Sequence, residues 1–564
     1  MKQSIISKIG ALSFFAAIVF INPAKAQLLN GGKISGNFQM DAQYYQADSL
    51  IGAKDVKEGM RLNAFTNIIY TNNNFTAGVR YENYQNPLLG FDSRYKGSGI
   101  PYRFATYTKD DWNITVGNFY EQFGSGLVFR TYEERNLGFD NAMDGIRIIV
   151  SPLKGITLKG VWGNQRYFFD KGPGIVRGLD GELNFNEICK KLSESKFRII
   201  LGGSFVSKYQ ADEDAQYNLP ENVASYAGRL NLGYKKFNLN AEYAYKINDP
   251  SAANNMIYKP GDALYVSASY SQKGLGVLLN GLKVDNMDFR SDRSVGQLGN
   301  PLSINYLPTL TRSHIYTLAA FYPYATQSTG QIGYQAQINY KLKKNTFLGG
   351  KYGMDIALNY SDIHAIDKVA LNDTTTIGQS GTDGYKSNFI SWGKEKYFTD
   401  FNIEITKKLS AKWKLIFDYV YFEYNKAVIE GHPDVPMVFA HIGIADVSYK
   451  INETNSVRVE FQHLFSKDDI DPDTKIEKKN WMLMLVEYSI APKWFFTISD
   501  MYNYNNADVD KRVHYYNGAV TFVKGTTRVA LGYGKQRKGI FCSGGVCREV
   551  PASNGLSLTI VSSF

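Results

Sequence analysis

The stretch NGLSLTIVSSF, residues 554–564, combines alternating side chains with an aromatic last residue. Leu556, Leu558, Ile560 and Phe564 fall on one parity, broken only by Ser562. Ser557, Thr559 and Ser563 fall on the other, interrupted by Val561. Side chains two apart share one face of a strand, so the stretch reads as a strand with a greasy and a polar face. A soluble domain rarely needs such an ending. The closing strand of a membrane barrel does: it pairs with the first strand, leaves no open backbone edge in lipid, and turns its apolar face to acyl chains.

Working outward, the same period recurs. FNLNAEYAYKI (237–247) sets Phe237, Leu239, Ala241, Tyr243, Tyr245 and Ile247 against Asn238, Asn240, Glu242 and Lys246. SVRVEFQHLF (456–465) sets Val457, Val459, Phe461 and Phe465 against Arg458, Glu460 and Gln462. The polar parity, Asn238, Asn240, Glu242, Lys246, Arg458, Glu460 and Gln462, is expected to face the lumen. Similar segments cover 59–71, 74–85, 101–109, 112–122, 155–164, 196–208, 222–235, 262–273, 412–426, 493–505 and 526–537.

Connection lengths separate a barrel from a sandwich. Tight turns at 109–112, 151–155, 234–237, 410–413 and 491–494 alternate with longer loops at 209–220, 249–261, 364–396 and 538–552. Short turns on one rim and long loops on the other are the outer-membrane pattern. Trp112, Trp413 and Trp494 each follow a short turn, which places an aromatic girdle at that rim. The expected fold is all-β: a single-chain transmembrane antiparallel β-barrel of roughly 24–26 strands, an even number by the rule for such chains. An odd count arises at 312–342, where one segment too many or too few is read. The first strand is expected near Lys33, leaving no room for an amino-terminal plug domain.

The other end reads MKQSIISKIGALSFFAAIVFINPAKAQ. Lys2 and Lys8, the apolar run Ile9 to Ile21 and Ala24-Lys25-Ala26 have the form of a signal peptide over 1–26, cleaved after Ala26, with the barrel over 27–564. No later stretch approaches the roughly 20 apolar residues of a spanning helix. The formal charge of +10 is spread over the chain, with no basic stripe that would suggest nucleic acid. The expected location is the cell outer membrane, in contact with its lipid and with the outer-membrane insertion machinery, for which Phe564 is the candidate signal.

GNFYEQFGSGLVFRTYEERNLGFDNAMDG (117–145) and GIFCSGGVCREVPASNGLSLTIVSSF (539–564) resemble an uncharacterised porin-like outer-membrane β-barrel family of Bacteroidetes. The resemblance implies the same fold and location, and carries no activity with it.

Residues 123–141 break the alternation. Gly124 and Gly126 supply backbone freedom, and Arg130, Tyr132, Glu133, Glu134 and Arg135 follow, with Asp140, Asp144 and Arg147 just beyond. This reads as an inward loop whose charges form a pore constriction, or as an interior salt-bridge network that props the barrel. Cys542 and Cys547 flank a short loop in an exported chain, where a disulfide staple is expected. Cys189 is left over. KDDIDPDTKIE (467–477) lacks calcium-loop spacing and reads as a solvated acidic loop. Six scattered His form no HExxH pair, and no GxSxG elbow is present. No enzyme, cofactor or metal site is expected. The function expected is a porin-like channel for small polar solutes. The alternative is a non-conducting scaffold or partner of a secretion or envelope-assembly complex.

Overall fold

The computed structural model describes residues 31–296, 301–543 and 546–564. The leader read over 1–26 lies outside them, as do Gly544 and Gly545 of the Cys542–Cys547 loop. Twenty-four antiparallel strands form one sheet of 24 strands. It closes where Lys33–Gln46 meets Ser553–Ser563, with Met40 opposite Ile560 and Asp41 opposite Thr559. The ladder continues into Phe564, whose backbone exchanges two 2.9 Å hydrogen bonds with Gly36. With the first and last strands paired, this sheet has no open edge.

Parity sorts the wall as period two requires. On Trp413–Tyr424, Trp413 and Phe417 are exposed outward while Asp418, Val420, Phe422 and Tyr424 are buried inward. Phe461 and Phe465 on Asn455–Lys467 and Trp494, Phe496 and Ile498 on Trp494–Tyr502 likewise face out. Trp112, Trp413 and Trp494 each open a strand just after a short turn and are exposed. Trp413 packs on Tyr449 at 4.4 Å and Trp494 on Phe522 at 4.6 Å, extending an aromatic band along that rim.

Short connections at 73–74, 110–111, 154–155, 235–236, 273–274, 409–412, 451–454, 491–493 and 525–526 define a turn rim. Longer ones at 47–59, 86–96, 120–142, 210–221, 247–260, 286–329, 365–395, 425–437, 468–480, 503–513 and 537–552 define a loop rim. The alternation has exceptions. The loop rim has a tight turn at 168–169, and the turn rim has longer connections at 343–353 and 185–196. Cys189 sits in the last of these, between two single-turn helices, as a half-exposed free thiol.

The segment 312–342 explains the odd strand count. Only Gly330–Leu342 joins the wall. The residues before it run inside the barrel, where Tyr316, Leu318, Ala319, Tyr322 and Tyr324 are buried. An apolar run that looks like a strand is here interior packing.

Candidate functional site: a closed lumen and its vestibule

Two loop-rim segments fold into the barrel, 120–142 and the described residues of 286–329, which are 286–296 and 301–329. The first turns at Gly124, whose φ of 53° favours glycine and where an added Cβ would stand 2.4 Å from a Glu242 oxygen on the wall. The next residue, Ser125, donates its backbone N–H to Glu242 at 2.7 Å. Phe123 before the turn and Leu127, Val128 and Phe129 after it are all fully buried. The two segments join edge to edge: Arg130 N–H donates to Ile304 C=O and Tyr306 N–H to Gly126 C=O, each at 2.9 Å. Asn305 donates to the Leu127 and Met287 carbonyls.

The second segment reaches the far wall. Arg312 pairs with Glu404, His314 meets Asp400 at 3.1 Å, and the Tyr316 hydroxyl donates to Asp446 at 3.3 Å. Leu318 N–H donates to Gln462 at 2.8 Å, and the Tyr322 hydroxyl to Asp469 at 3.1 Å. Around these contacts the wall turns apolar: Val420, Phe422, Val438, Ala440, Ile442 and Leu464 are fully buried against the segment. One hydrophobic cluster thus spans from Phe123 and Val176 on one side to Leu464 and Leu483 on the other. Dry apolar packing of this kind excludes water.

Toward the turn rim the same inward parity is polar. Asn280 donates to Gln335, Gln335 to Asn359 and Asn359 to Asp400, at 3.1, 2.9 and 3.1 Å. Asn240, Glu242 and Arg229 line a cavity of about 370 Å³ on this side. Asn238 is half-buried nearby. Arg458 pairs with Asp446 and Glu460, and Gln462 is fully buried beneath Leu318. Lys246 keeps the inward parity of Glu242 but does not meet open lumen. It is fully buried, pairs with Asp249 at 3.9 Å and donates to the Asp288 carbonyl, because the 286–329 segment covers it.

The charges singled out at 130–147 are mostly engaged with partners. Arg80 and Arg166, both on wall strands, clamp Glu82 and Asp140. Arg166 stands 2.6 Å from each acid, and Arg80 reaches Glu133 at 2.9 Å. Burial alone would raise the Asp140 carboxyl. The Arg166 and Arg80 guanidiniums, with N–H and O–H bonds from Ala142 and Tyr120, outweigh it and hold Asp140 below the usual carboxylate range. Arg135 pairs with Glu133 at 2.9 Å and lies 4.6 Å over Phe65. Glu134 sits opposite Phe139 in a two-residue ladder. Arg130 is stacked between Tyr132 and Tyr306, at 4.7 and 4.1 Å. Arg147 faces inward to Glu121, Asn113 and Thr115. Asp144 does not belong with them. It shares the outward parity of Ile146 and Ile148 and pairs there with Arg103 and Lys171. A shift of one residue along a strand reverses the face.

Above the apolar layer the loops leave a vestibule, with cavities of about 250 and 640 Å³. The disulfide Cys542–Cys547 ties the small hairpin 539–550 that overhangs it. Three acids of 468–473 are held by lysines, Asp469 by Lys426, Asp471 by Lys478 and Asp473 by Lys538. Among the described residues no group of three or more His, Cys, Asp or Glu could hold a metal. Sequence reasoning missed Arg80, Glu82 and Arg166. Their one signal was opposite charges at 80 and 82 on the parity opposite Val79 and Tyr81.

The chain belongs to the DUF6029 family, a family of unknown function, which matches residues 1–564. No curated protein matches it. Similar solved structures include a ferric enterobactin receptor mutant of Pseudomonas aeruginosa in complex with enterobactin. It is 10% identical, with 95% of this chain and 82% of that chain covered and a TM-score of 0.43. The P pilus usher translocation pore is 7% identical, with coverage of 94% and 99% and a TM-score of 0.40. The outer membrane transporter YddB of Escherichia coli is 8% identical, with coverage of 94% and 81% and a TM-score of 0.38.

Proposed function

We propose that this chain is an outer-membrane barrel of the channel and transporter class whose passage is closed at rest by its own loops. A closed sheet with an apolar, aromatic-rimmed outer face supports the membrane location. Export with cleavage after Ala26 and recognition of Phe564 by the insertion machinery belong to the same reading. No enzymatic activity is proposed. The observation that carries the closure is the fully buried apolar layer running from Phe123 through Leu318 to Leu464. Small polar solutes pass only if the 286–329 segment moves. That distinguishes this reading from an always-open porin.

Planar-bilayer recording of the purified protein tests it. Closed traces are expected, with openings only under conditions that displace the segment. Open steps of nanosiemens order in the untreated parent would overturn the closure. The second reading, a non-conducting scaffold, draws on the same sealed lumen. Silence under every condition, together with a stoichiometric envelope protein that co-purifies, would favour it.

A further inference from the structure

Six loops of the loop rim converge on the cavity of about 640 Å³, and its charges are unevenly matched. Its acids are already engaged. Asp92 pairs with Arg94, Asp469 with Lys426, Asp471 with Lys478, and both Asp473 and Glu549 with Lys538. Glu430 accepts from the Tyr424 hydroxyl at 3.1 Å. Arg537 and Arg548 are left over: among the described residues neither forms an ion pair with a carboxylate.

Aromatic rings hold both guanidiniums in place. Arg537 lies 3.4 Å over Phe321 and Arg548 lies 4.1 Å over Phe91. Stacking uses the face of a guanidinium and leaves its N–H edge free to donate. The Nε and Nη1 atoms of Arg548 are buried without a hydrogen-bond partner. So is Nε1 of Trp481, a residue only 4% exposed, whose ring meets Phe321 edge-on at 5.4 Å. Arg and Trp nitrogens only donate, and a buried donor left unmade is costly. Burial pushes Arg548 down to about 10, against the weaker pull of Tyr45. Arg537 donates one N–H to the Lys538 carbonyl at 3.0 Å and has no carboxylate partner, whereas Arg548 and Trp481 keep buried donors with no acceptor, all on the lining of one cavity.

We propose that this cavity binds a small acceptor-rich anion, bearing carboxylate or phosphate groups, between Arg537 and Arg548 with Trp481 donating to it. The inference rests on the transport reading, with the vestibule as the place where a solute is first held. Guanidinium forks match carboxylate and phosphate bidentately. The site lies within the ring of loops, so a free solute is its source and a membrane lipid headgroup is not.

Isothermal titration of the folded, detergent-solubilised full chain tests this, with citrate and pyrophosphate as anionic probes and glucose as the neutral control. At least one anion should bind saturably and glucose should not. Arg537→Gln with Arg548→Gln should weaken binding by about 10-fold or more, the loss expected for charge-assisted hydrogen bonds. Lys341→Gln, at the turn rim, should leave it unchanged. Heat-modifiable gel mobility reports folding. If the double Gln variant fails to fold, Arg537→Lys with Arg548→Lys decides, because it keeps charge, loses the fork and should bind more weakly than the parent. Binding of neither anion to the parent overturns the site. So does binding to a folded double variant as tight as the parent's, or competition by glucose. Silent bilayers without anion binding would remove the site and leave the closed lumen standing. Anion binding with open steps would do the reverse.

Discussion

Asp418 and Phe422 point inward from the same strand, two inward positions apart, and meet opposite surroundings. Asp418 joins a turn-side belt of amides and acids, where Asn402 donates to it. Phe422 packs on Tyr322 and Phe398 in the dry layer. The partner strand Val438–Lys450 repeats the change in reverse, from Val438, Ala440, Ile442 and Ile444 to Asp446. Period two fixes which side chains leave the lipid. What they meet inside depends on segments far away in sequence, and at this height those segments are Tyr316, Leu318 and Tyr322.

Removing the stopper should expose the lumen. Replacing residues 309–328 by a short Gly-Ser linker strips the apolar layer of its centre while leaving all 24 strands. The variant should conduct in steps of nanosiemens order where the parent is silent, the largest effect expected from any change here. A silent variant that folds would mean that 120–142 alone closes the lumen.

The next contrast compares charge in the two halves. Arg80 is 3% exposed and holds three acids, whereas the Arg458 side chain is 32% exposed and faces the turn-side lumen. Arg80→Met leaves Glu82 and Asp140 buried with half their compensation and should cost about 3–5 kcal/mol. Arg458 already reaches water, which can solvate the acids it leaves behind, so Arg458→Met should cost less, about 1–3 kcal/mol despite the burial of Asp446 and Glu460. Urea unfolding monitored by heat-modifiable mobility measures both. Equal losses would show that the two halves are equally dry.

How much of this was legible follows from the same division. The wall was readable because alternation, turn length and the Trp at strand starts are local signals. The closing strand at 554–564 and the pairing of Cys542 with Cys547 belong to that class. The interior was not. SHIYTLAAFYPYA carries the composition of a strand, and only its contacts make it a stopper. Leu318 finds Gln462 and Arg80 finds Asp140, pairings that no pattern within one segment encodes. Asp144 was misplaced for a simpler reason. Where a loop ends and a strand begins sets parity, and an error of one residue reverses the face.

The vestibule loop 468–480 is pinned in part by Asp471. Burial alone would raise the Asp471 carboxyl. Lys478, 3.0 Å away, and the backbone N–H groups of Thr474 and Asp473 outweigh it and lower it to about 2. The ordinary carboxyl value is higher, so the folded state binds this proton more weakly than the unfolded one. Its stabilisation is therefore fully present above about pH 4 and lost as pH falls through about 2. Solvent screens a group this exposed, so the contribution is below about 1 kcal/mol. Between those limits the loop 468–480 should loosen before the wall does. Tryptophan emission reads this, because Trp481 borders the same cavity. A shift in emission between pH 4 and 2 should appear in the parent, with far-ultraviolet circular dichroism unchanged. In Asp471→Asn the acid step should be reduced, and the starting emission should already be shifted toward the loosened state. An identical acid step in the variant would show that another carboxylate, Asp469 foremost, holds the loop.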